Sequence, residues 1–432
     1  MQHKSCFEAV NWTLNDICHV SDSCLFGKIP VVLGGNFAQI LLVVRRGLQQ
    51  ATVQACLQHS SIWYSLQVLR PETSMRIEAN NSNQIFFNFL KSLVNDANMY
   101  RKINPLAYIG RVETLDHLCD QLYPQALLTE AVTSHSSLIR RVLLAFKHDT
   151  VNDFNNSLLD KMPVTEHRFK AANKVELCQE AADSEPYPVE YLQSINLASI
   201  PPSCLRLKIG VPLILIQNLS PKHGIYNRTR FRLWGINRNS LQVAILGGRW
   251  DGEIPLLPQI KLTTHDEELH FILERKQFPV HLCFAMAVNK SQGQSLKQVG
   301  VDLCTDAFTH GQLYVAQSRV ISLNELTLLP SSNTPTVTSN IVYPEVLLSD
   351  TSVIHISIMT SALANHYIST ICLISGYDLN ALQLAVNNGT LILELCYSPC
   401  LFLLFILHIL WKYSFAITAF FPHIPRFLTE WF

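Results

Sequence analysis

Residues 278–319 read FPVHLCFAMAVNKSQGQSLKQVGVDLCTDAFTHGQLYVAQSR. In order, this stretch holds an apolar run, a polar turn, a second apolar run and a helix-like segment, at residues 280–288, 289–294, 299–303 and 310–318. A buried strand that ends in Lys, Ser, Gln and Gly presents hydrogen-bond donors at one edge of a sheet, where α/β proteins bind phosphates. The helix-like segment is followed by Arg319, whose planar and permanently charged guanidinium suits a phosphate. The stretch therefore predicts an α/β domain with a phosphate-contacting edge.

The first part of the chain alternates helix-like and strand-like segments. Apolar residues at helical spacing predict helices at residues 1–17, 53–57, 85–94 and 150–159. Short apolar runs predict strands at residues 28–35, 66–69 and 138–146, the first of them a buried parallel strand closed by two glycines. This alternation predicts a sheet with helices on both of its faces.

Residues 205–257 differ, because strand-like runs follow one another there without helices. The runs lie at residues 205–219, 231–234, 241–246 and 253–257, separated by Asn, Gly and Arg turns. This spacing predicts a small antiparallel β-barrel inserted into the α/β domain. Five basic side chains in this part line either a nucleic-acid groove or a solvated face, namely Lys208, Lys222, Arg228, Arg230 and Arg232. The acidic residues 179–188, with two prolines, predict an exposed linker before it.

Composition limits the class of protein. A chain of 432 residues is long enough for two or three domains with cores of their own. Its 33 basic and 33 acidic residues cancel, which argues against a histone-like binder and leaves a local basic groove open. The 12 cysteines include no C-x-x-C pair, so the sequence predicts no metal site. Scattered cysteines of this kind predict reduced thiols in an intracellular protein. The first residues lack the apolar core of a signal peptide, so secretion is not predicted.

The last 82 residues have a different composition from the rest. Between residues 351 and 432 the formally charged residues are Asp378, Glu394, Lys412, Arg426 and Glu430. Residues 395–411 are uncharged and near the lower length limit of a membrane-spanning helix, although Pro399 and His408 interrupt the apolar run. Three readings remain open: a membrane anchor, a buried helix of an accessory region, and translated sequence never selected to fold. We favour the third, so a membrane is not a predicted partner.

The motifs of the opening stretch resemble the last two motifs of superfamily-one DNA helicases of the petite-integration-frequency type, including those carried by Helitron transposons. The box AVNKSQGQSL supplies the residues that couple DNA to the nucleotide cleft in this family, here Asn289, Lys290, Ser291, Gln292 and Gly293. The resemblance implies that the hydroxyl and backbone N–H groups of this turn meet phosphate oxygens. It also implies that Arg319 contacts the terminal phosphate of ATP and stabilises charge in the transition state.

Two further segments resemble the family. Residues 33–43, LGGNFAQILLV, place Gln39 where the family has a glutamine that senses the terminal phosphate of ATP. In residues 70–77, RPETSMRI, Arg76 matches an arginine that helps to neutralise phosphate charge. Gln39, Arg76 and Arg319 are therefore the implied catalytic residues.

The chain departs from the family's pattern at several positions, which are Asn36, Ala38, Leu42, Ser74, His148, Arg228 and Gln317. Arg228 stands in a turn where glycine is usual, which predicts backbone strain or a different turn. Gln317 stands where leucine is usual.

The resemblance implies an α/β fold. It consists of a partial RecA-like P-loop NTPase motor domain at residues 1–135 and a second RecA-like motor domain at residues 136–330. The second domain carries the small β-barrel insertion at about residues 205–262, and residues 331–432 form a hydrophobic tail. The similarity extends from the first residue to about residue 330.

Two elements of phosphoryl-transfer chemistry are missing from this sequence. No G-x-x-x-x-G-K-[ST] loop is present, because Gly27-Lys28 is the one Gly-Lys pair and Ile29 follows it. No Asp-Glu pair follows an apolar strand to hold magnesium, since Asp266-Glu267 lies in a polar stretch. The first residue aligns just past that pair, so we expect a chain that begins inside the first motor domain.

The resemblance implies ATP and Mg²⁺ as cofactors, and the missing elements predict that this chain does not hold them. The function expected is that of an ATP-dependent DNA helicase family member, in repair, recombination or transposon replication, inactive by itself. The alternatives are a non-catalytic module that binds single-stranded nucleic acid and a membrane-tethered remnant. DNA, preferably single-stranded, is the expected partner, and the expected location is nuclear or otherwise intracellular.

Overall fold

The computed structural model is a mixed α/β structure, in which most of the helices lie before residue 195 and most of the strands after residue 166. It describes residues 2–21, 24–69, 81–94, 100–105, 109–133, 138, 141–176, 187–197, 199–264, 269, 271–331 and 337–347. Arg76 and Asp266-Glu267 lie outside the described residues, as do most of the predicted acidic linker and the tail from residue 348 onwards. The first part of the predicted tail is described and contains β17.

The helices are α1 Lys4–Ile17, α2 Gln49–Gln54, α3 Asn81–Ser92, α4 Leu115–Leu122, α5 Gln125–Glu130, α6 His148–Lys161, α7 Val189–Ser194 and α8 Gln312–Gln317. The strands are β1 Tyr100–Ile103, β2 Gly110–Arg111, β3 Arg141–Ala145, β4 His167–Lys170, β5 Ala172–Glu176, β6 Cys204–Leu207, β7 Pro212–Leu215, β8 Arg230–Ile236, β9 Ser240–Ile245, β10 Leu256–Pro258, β11 Ile260–Thr264, β12 Ile272–Gln277, β13 Val280–Leu282, β14 Ala285–Ala287, β15 Gln298–Leu303, β16 Leu326–Pro330 and β17 Thr338–Ile341. The helices predicted at residues 1–17, 85–94 and 150–159 and the strand at 138–146 are confirmed.

The described residues form two compact units. Unit 1 contains residues 2–36 and 42–69, and unit 2 contains residues 37–41 together with the described residues from 81 to 347. Among the described residues, no helix combines the length and apolar character needed to cross a membrane.

A five-stranded parallel sheet is the centre of unit 2. Its strand order is β14-β3-β15-β16-β2, and every neighbouring pair is parallel. On β3, Val142 and Leu144 face a core shared with α3 and α8. The alternate residues Leu143 and Ala145 face a second core, shared with α4 and α6. Both faces of the sheet are therefore covered by helices, and the α/β prediction is confirmed.

Close packing of α4 on this sheet depends on a glycine in β15. A Cβ atom on Gly300 would lie 2.4 Å from Leu122 Cδ1 and 2.9 Å from Leu118 Cδ1. A larger residue there would require both leucine side chains to shift, so Gly300 permits the close packing of helix on sheet.

The region predicted as a barrel forms an antiparallel sheet of order β10-β9-β8-β7-β13. A three-stranded sheet, β11-β12-β5, and the β4-β6 and β1-β17 pairs accompany it. The predicted short strands are thus present. The closure of this sheet into a barrel, and the domain boundaries given above, stay predictions.

The strands predicted at residues 28–35 and 66–69 are wrong. Instead, two buried amides of α1 hold the chain in a turn, since Asn11 Oδ1 accepts from Phe26 N at 2.6 Å and Asn15 Oδ1 from Gly27 N at 2.7 Å. Further on, Val31 packs against the small core of unit 1. In the described part of unit 1 this apolar run has no neighbouring strand with which to form a ladder.

Candidate functional site

The polar turn of the opening stretch follows directly from the end of β14, an edge strand of the parallel sheet. We call residues 288–294 the lysine turn. It begins as a 3-10 turn, Val288–Ser291, in which the fully buried Ser291 donates its hydroxyl proton to Val288 O at 2.7 Å. Gly293 has a φ of 79° and is exposed, with no atom within 4 Å of the position that a Cβ would take. The backbone at Gly293 is therefore open to a ligand.

Arg319 joins this turn to the preceding helix α8. Its Nε donates to Val315 O at 3.0 Å, and its Nη1 reaches Ser291 O and Gln294 O at 3.5 and 3.4 Å. The side chain of Arg319 is only 1% exposed. In this conformation the guanidinium fixes the lysine turn against α8.

A third segment, distant in sequence, lies beside the lysine turn and α8. We call Phe37–Leu41 the glutamine segment, because it carries Gln39. Gln292 Nε2 donates to Ile40 O at 2.9 Å, and His310 Nε2 bonds to Phe37 O at 2.7 Å. Side chains from two motifs some 250 residues away thus hold the backbone on both sides of Gln39.

The ring of His310 has one protonation state in this arrangement. Its Nδ1 accepts from Tyr343 N at 2.8 Å, so the proton is on Nε2, which donates to Phe37 O. Burial lowers the pKa of His310, whose side chain is almost completely enclosed. The neutral ring is therefore the form that positions the glutamine segment.

Gly311 lets the glutamine segment approach α8. It precedes the helix with a φ of 72°, and a Cβ atom there would lie 2.5 Å from Ala38 O and 2.7 Å from the carbonyl carbon of Gln39. The side chain of Gln39 is 6% exposed, and its Oε1 has no hydrogen-bond partner among the described residues. A buried amide oxygen without a partner is unusual and suits a site that a ligand completes.

Lys290 is the positive group of the lysine turn. Burial lowers the pKa of Lys290, and the charge of Arg228 lowers it further. Within the described residues Lys290 forms no ion pair with a carboxylate. An ammonium in these surroundings is stabilised by an anion, and lysine side chains commonly contact phosphate oxygens in protein–DNA complexes.

For three of the five basic residues of the antiparallel region, both alternatives given above, a nucleic-acid groove and a solvated face, are wrong. Lys208 Nζ donates to Met162 O at 2.9 Å, Arg230 Nη2 to Arg141 O at 2.9 Å, and Arg232 Nε to Ala131 O at 2.7 Å. Lys208, Arg230 and Arg232 are all buried. Two of these carbonyls, Ala131 O and Met162 O, lie at the C-terminal ends of α5 and α6, where a cation is favoured.

The predicted irregularity at Arg228 is confirmed. Arg228 has a φ of 73°, a left-handed conformation that costs a residue with a side chain roughly 1–2 kcal/mol. Its N–H donates to Leu215 O at 2.9 Å, which ties the strained residue to β7.

The structure brings several of the predicted site residues together. Gln39 and Arg319 lie beside the lysine turn, which itself carries Asn289, Lys290, Ser291, Gln292 and Gly293. Sequence reasoning missed His310 and Gln312. Gln312 Oε1 accepts from Phe308 N at 2.8 Å, and its Nε2 lies 3.4 Å from Asn289 Oδ1. The available signal was the sequence His310-Gly311-Gln312, which leads into α8 within residues 278–319.

A magnesium site does not fit the described residues. Among them, no group of three or more His, Cys, Asp and Glu side chains is placed to hold a metal ion. No chemical step is therefore assigned to a metal in this chain.

Two protein-family models match the sequence. A PIF1-like helicase model matches residues 1–98, and a model of the 2B domain of the DNA helicase Pif1 matches residues 190–235. The second match covers strands β6 to β8.

Individual proteins agree with these matches. The ATP-dependent DNA helicase PIF1 of Homo sapiens is 27% identical over 310 residues, which are 70% of this chain and 41% of that protein. The Pif1 helicase of Campylobacter jejuni is 24% identical over 301 residues, 64% of this chain and 62% of that protein. The chain thus spans about two fifths of the human relative's length.

The fold agrees as well. The crystal structure of the Pif1 helicase from Candida albicans superimposes with a TM-score of 0.51 at 19% identity, covering 80% of this chain and 73% of that one. That structure is a helicase of RecA-like fold, which matches the parallel sheet described above. This chain is thus similar to PIF1-like helicases in two separate segments, over most of its length to individual members, and in its fold.

Proposed function

We propose that this chain binds single-stranded DNA through the lysine turn, as the DNA-handling part of a PIF1-like helicase. The observation that carries the proposal is the joining of three distant motifs in unit 2. The glutamine segment, the lysine turn and α8 are linked by Gln292, His310 and Arg319. The turn that they hold exposes Gly293 and carries Lys290 without a carboxylate partner among the described residues.

The chemistry of this turn favours contacts to the DNA backbone. Lys290 is a compact positive charge, and an open glycine backbone permits a phosphate to approach closely. Such contacts read no sequence, and each releases counterions, so binding weakens as salt rises. Single strands are the proposed substrate, since the relatives are named DNA helicases.

The proposal includes no ATP turnover by these 432 residues alone. The relatives are named ATP-dependent, and Gln39 is the residue of this chain proposed to face the nucleotide. Arg319 is proposed to reach the nucleotide only after its guanidinium leaves the carbonyls of Ser291 and Gln294. ATP would supply the energy of unwinding when bound. The sequence holds no phosphate-binding loop, and the described residues offer no magnesium site. The chain alone is therefore proposed to bind DNA without hydrolysing ATP, in the nucleus or elsewhere within the cell.

The proposal is tested by the salt dependence of binding. Fluorescence anisotropy of a labelled oligonucleotide gives the affinity at several salt concentrations. We expect log affinity to fall linearly with log salt, with a slope of about 0.7 for each phosphate contacted on a single strand. The variant Lys290→Ala should weaken binding and reduce that slope by about one such step.

Lys297→Ala is the matched control. Lys297 is exposed and lies on the same connection between β14 and β15, outside the lysine turn. Its loss removes the same charge and should change the affinity little. Equal effects of the two variants, or an affinity that does not respond to salt, would overturn the proposal.

A further inference from the structure

Trp234 is a large exposed aromatic residue in the antiparallel sheet of unit 2. It lies on β8 and is 44% exposed. The pairing of β8 with β9 shifts between Leu233 and Gly235, so Trp234 occupies a β-bulge. Bulges re-aim a side chain relative to the rest of the strand.

One face of this indole ring is already occupied. The guanidinium carbon of Arg232 lies over the ring, 4.7 Å from its centroid. Arg232 is itself 1% exposed and is held by Ala131 O and Val132 O at 2.7 and 2.6 Å. The ring therefore rests on a fixed cation, and its exposed area is available to another planar group.

The sheet continues this surface away from the tryptophan. Gln242 pairs with Gly235 on one side and with Leu256 on the other, so the three residues form one row across β8, β9 and β10. Leu256 is 57% exposed. The row begins at the glycine next to the bulged Trp234 and ends at an apolar side chain, so the surface beside the ring has room for more than one flat, largely apolar group.

The charge of the hairpin suits a polyanion. From residue 230 to residue 245 it contains three arginines, Arg230, Arg232 and Arg238, and no Asp or Glu. Arg238 is exposed at the turn between β8 and β9. The next acidic residues along the chain, Asp251 and Glu253, lie near Ile245, at the end of β9 that is away from this turn. The ring and Arg238 thus share an end of the hairpin that is free of acidic residues.

We propose that Trp234 is a stacking platform for a base of single-stranded nucleic acid, with Arg238 beside it to meet the backbone. An exposed ring fixed from behind by the buried Arg232, with the exposed Arg238 at the adjacent turn, is an arrangement on which bases of single strands stack. The inference rests on the proposed function, and adds a second contact at which bases rather than phosphates are bound.

The test uses the full chain and a labelled oligothymidylate. Trp234→Ala should weaken binding roughly 5- to 150-fold, as the loss of one stacked base does, and should leave the salt slope unchanged because no phosphate contact is lost. Trp234→Phe should retain most of the affinity. It should also remove most of the fluorescence quenching that the oligonucleotide causes in the wild type.

Trp12→Ala is the control, because Trp12 is 65% exposed but lies on α1 of unit 1. Wild-type affinity in Trp234→Ala overturns the inference, as does a loss that is matched by Trp12→Ala or accompanied by a changed salt slope. Unchanged DNA binding together with loss of a protein partner would also overturn it. If the wild-type chain binds no DNA, both the proposed function and this inference are overturned. If the wild-type chain binds DNA, the affinity of Trp234→Ala tests this inference alone.

Discussion

Replacing Gln317 by leucine is expected to stabilise unit 2. Gln317 lies in α8, is fully buried, and has no hydrogen-bond partner for either atom of its amide among the described residues. Burial of an amide without partners costs about 1–3 kcal/mol in proteins. Leucine removes both polar atoms and is similar in size, and it is the residue that the family resemblance places here.

The expected gain is therefore about 1–3 kcal/mol in the free energy of unfolding. For a unit of this size, roughly 250 residues, each kcal/mol raises the melting temperature by about 2–4 °C. We expect the midpoint of thermal unfolding, followed by circular dichroism, to rise by about 2–12 °C in Gln317→Leu.

Gln312→Leu is the matched control within the same helix. Gln312 is also buried, but its amide accepts from Phe308 N and Thr309 N. Removing it leaves those two donors without their partner, so this variant should lose about 1–3 kcal/mol. The two substitutions are chemically identical and should shift the midpoint in opposite directions. An unchanged or lower midpoint in Gln317→Leu would refute the reasoning, because it would mean that the amide is satisfied in solution.

Three further outcomes are expected. Arg319→Ala should lower the free energy of unfolding by at least about 2 kcal/mol, since the carbonyls of Val315, Ser291 and Gln294 lose a charged donor; a variant as stable as the wild type in urea unfolding would contradict this. Burial lowers the pKa of His281 to about 3, so below pH 6.5 the unfolded chain binds more protons and stability should fall as the pH drops from about 6.5 towards 3. His281→Leu should flatten that pH profile, whereas loss of the exposed His167 in His167→Gln should not. The purified chain should hydrolyse no ATP above a buffer control with or without DNA, and DNA-stimulated turnover would contradict the proposed division of labour.

Local patterns predicted the parallel sheet of unit 2 well. The strand at 138–146 and the helix at 150–159 were predictable because both carry their full apolar periodicity within a short window. The apolar run at 28–35 was misread, because a strand also needs a neighbour, and periodicity carries no information on whether one is present.

The sequence predicted which residues belong to the candidate site better than it predicted the contacts between them. Gln39 and the lysine turn were identified from sequence, but the bonds of Gln292 and His310 to the glutamine segment span 252 and 273 residues. Lys208 and Arg232 were read as surface cations, since a sequence does not distinguish a solvated charge from one that caps a distant helix.

A cross-linking map of the bound single strand would show directly whether the lysine turn contacts DNA. A bromodeoxyuridine-substituted oligonucleotide, irradiated on the full chain at low salt, marks the peptides that contact DNA. We expect cross-links in the peptide that contains the lysine turn. We also expect an excess of unlabelled single strand to remove these cross-links. Cross-links confined to residues 2–36 and 42–69 of unit 1 or to residues 351–432, with the lysine turn unmarked, would contradict this expectation.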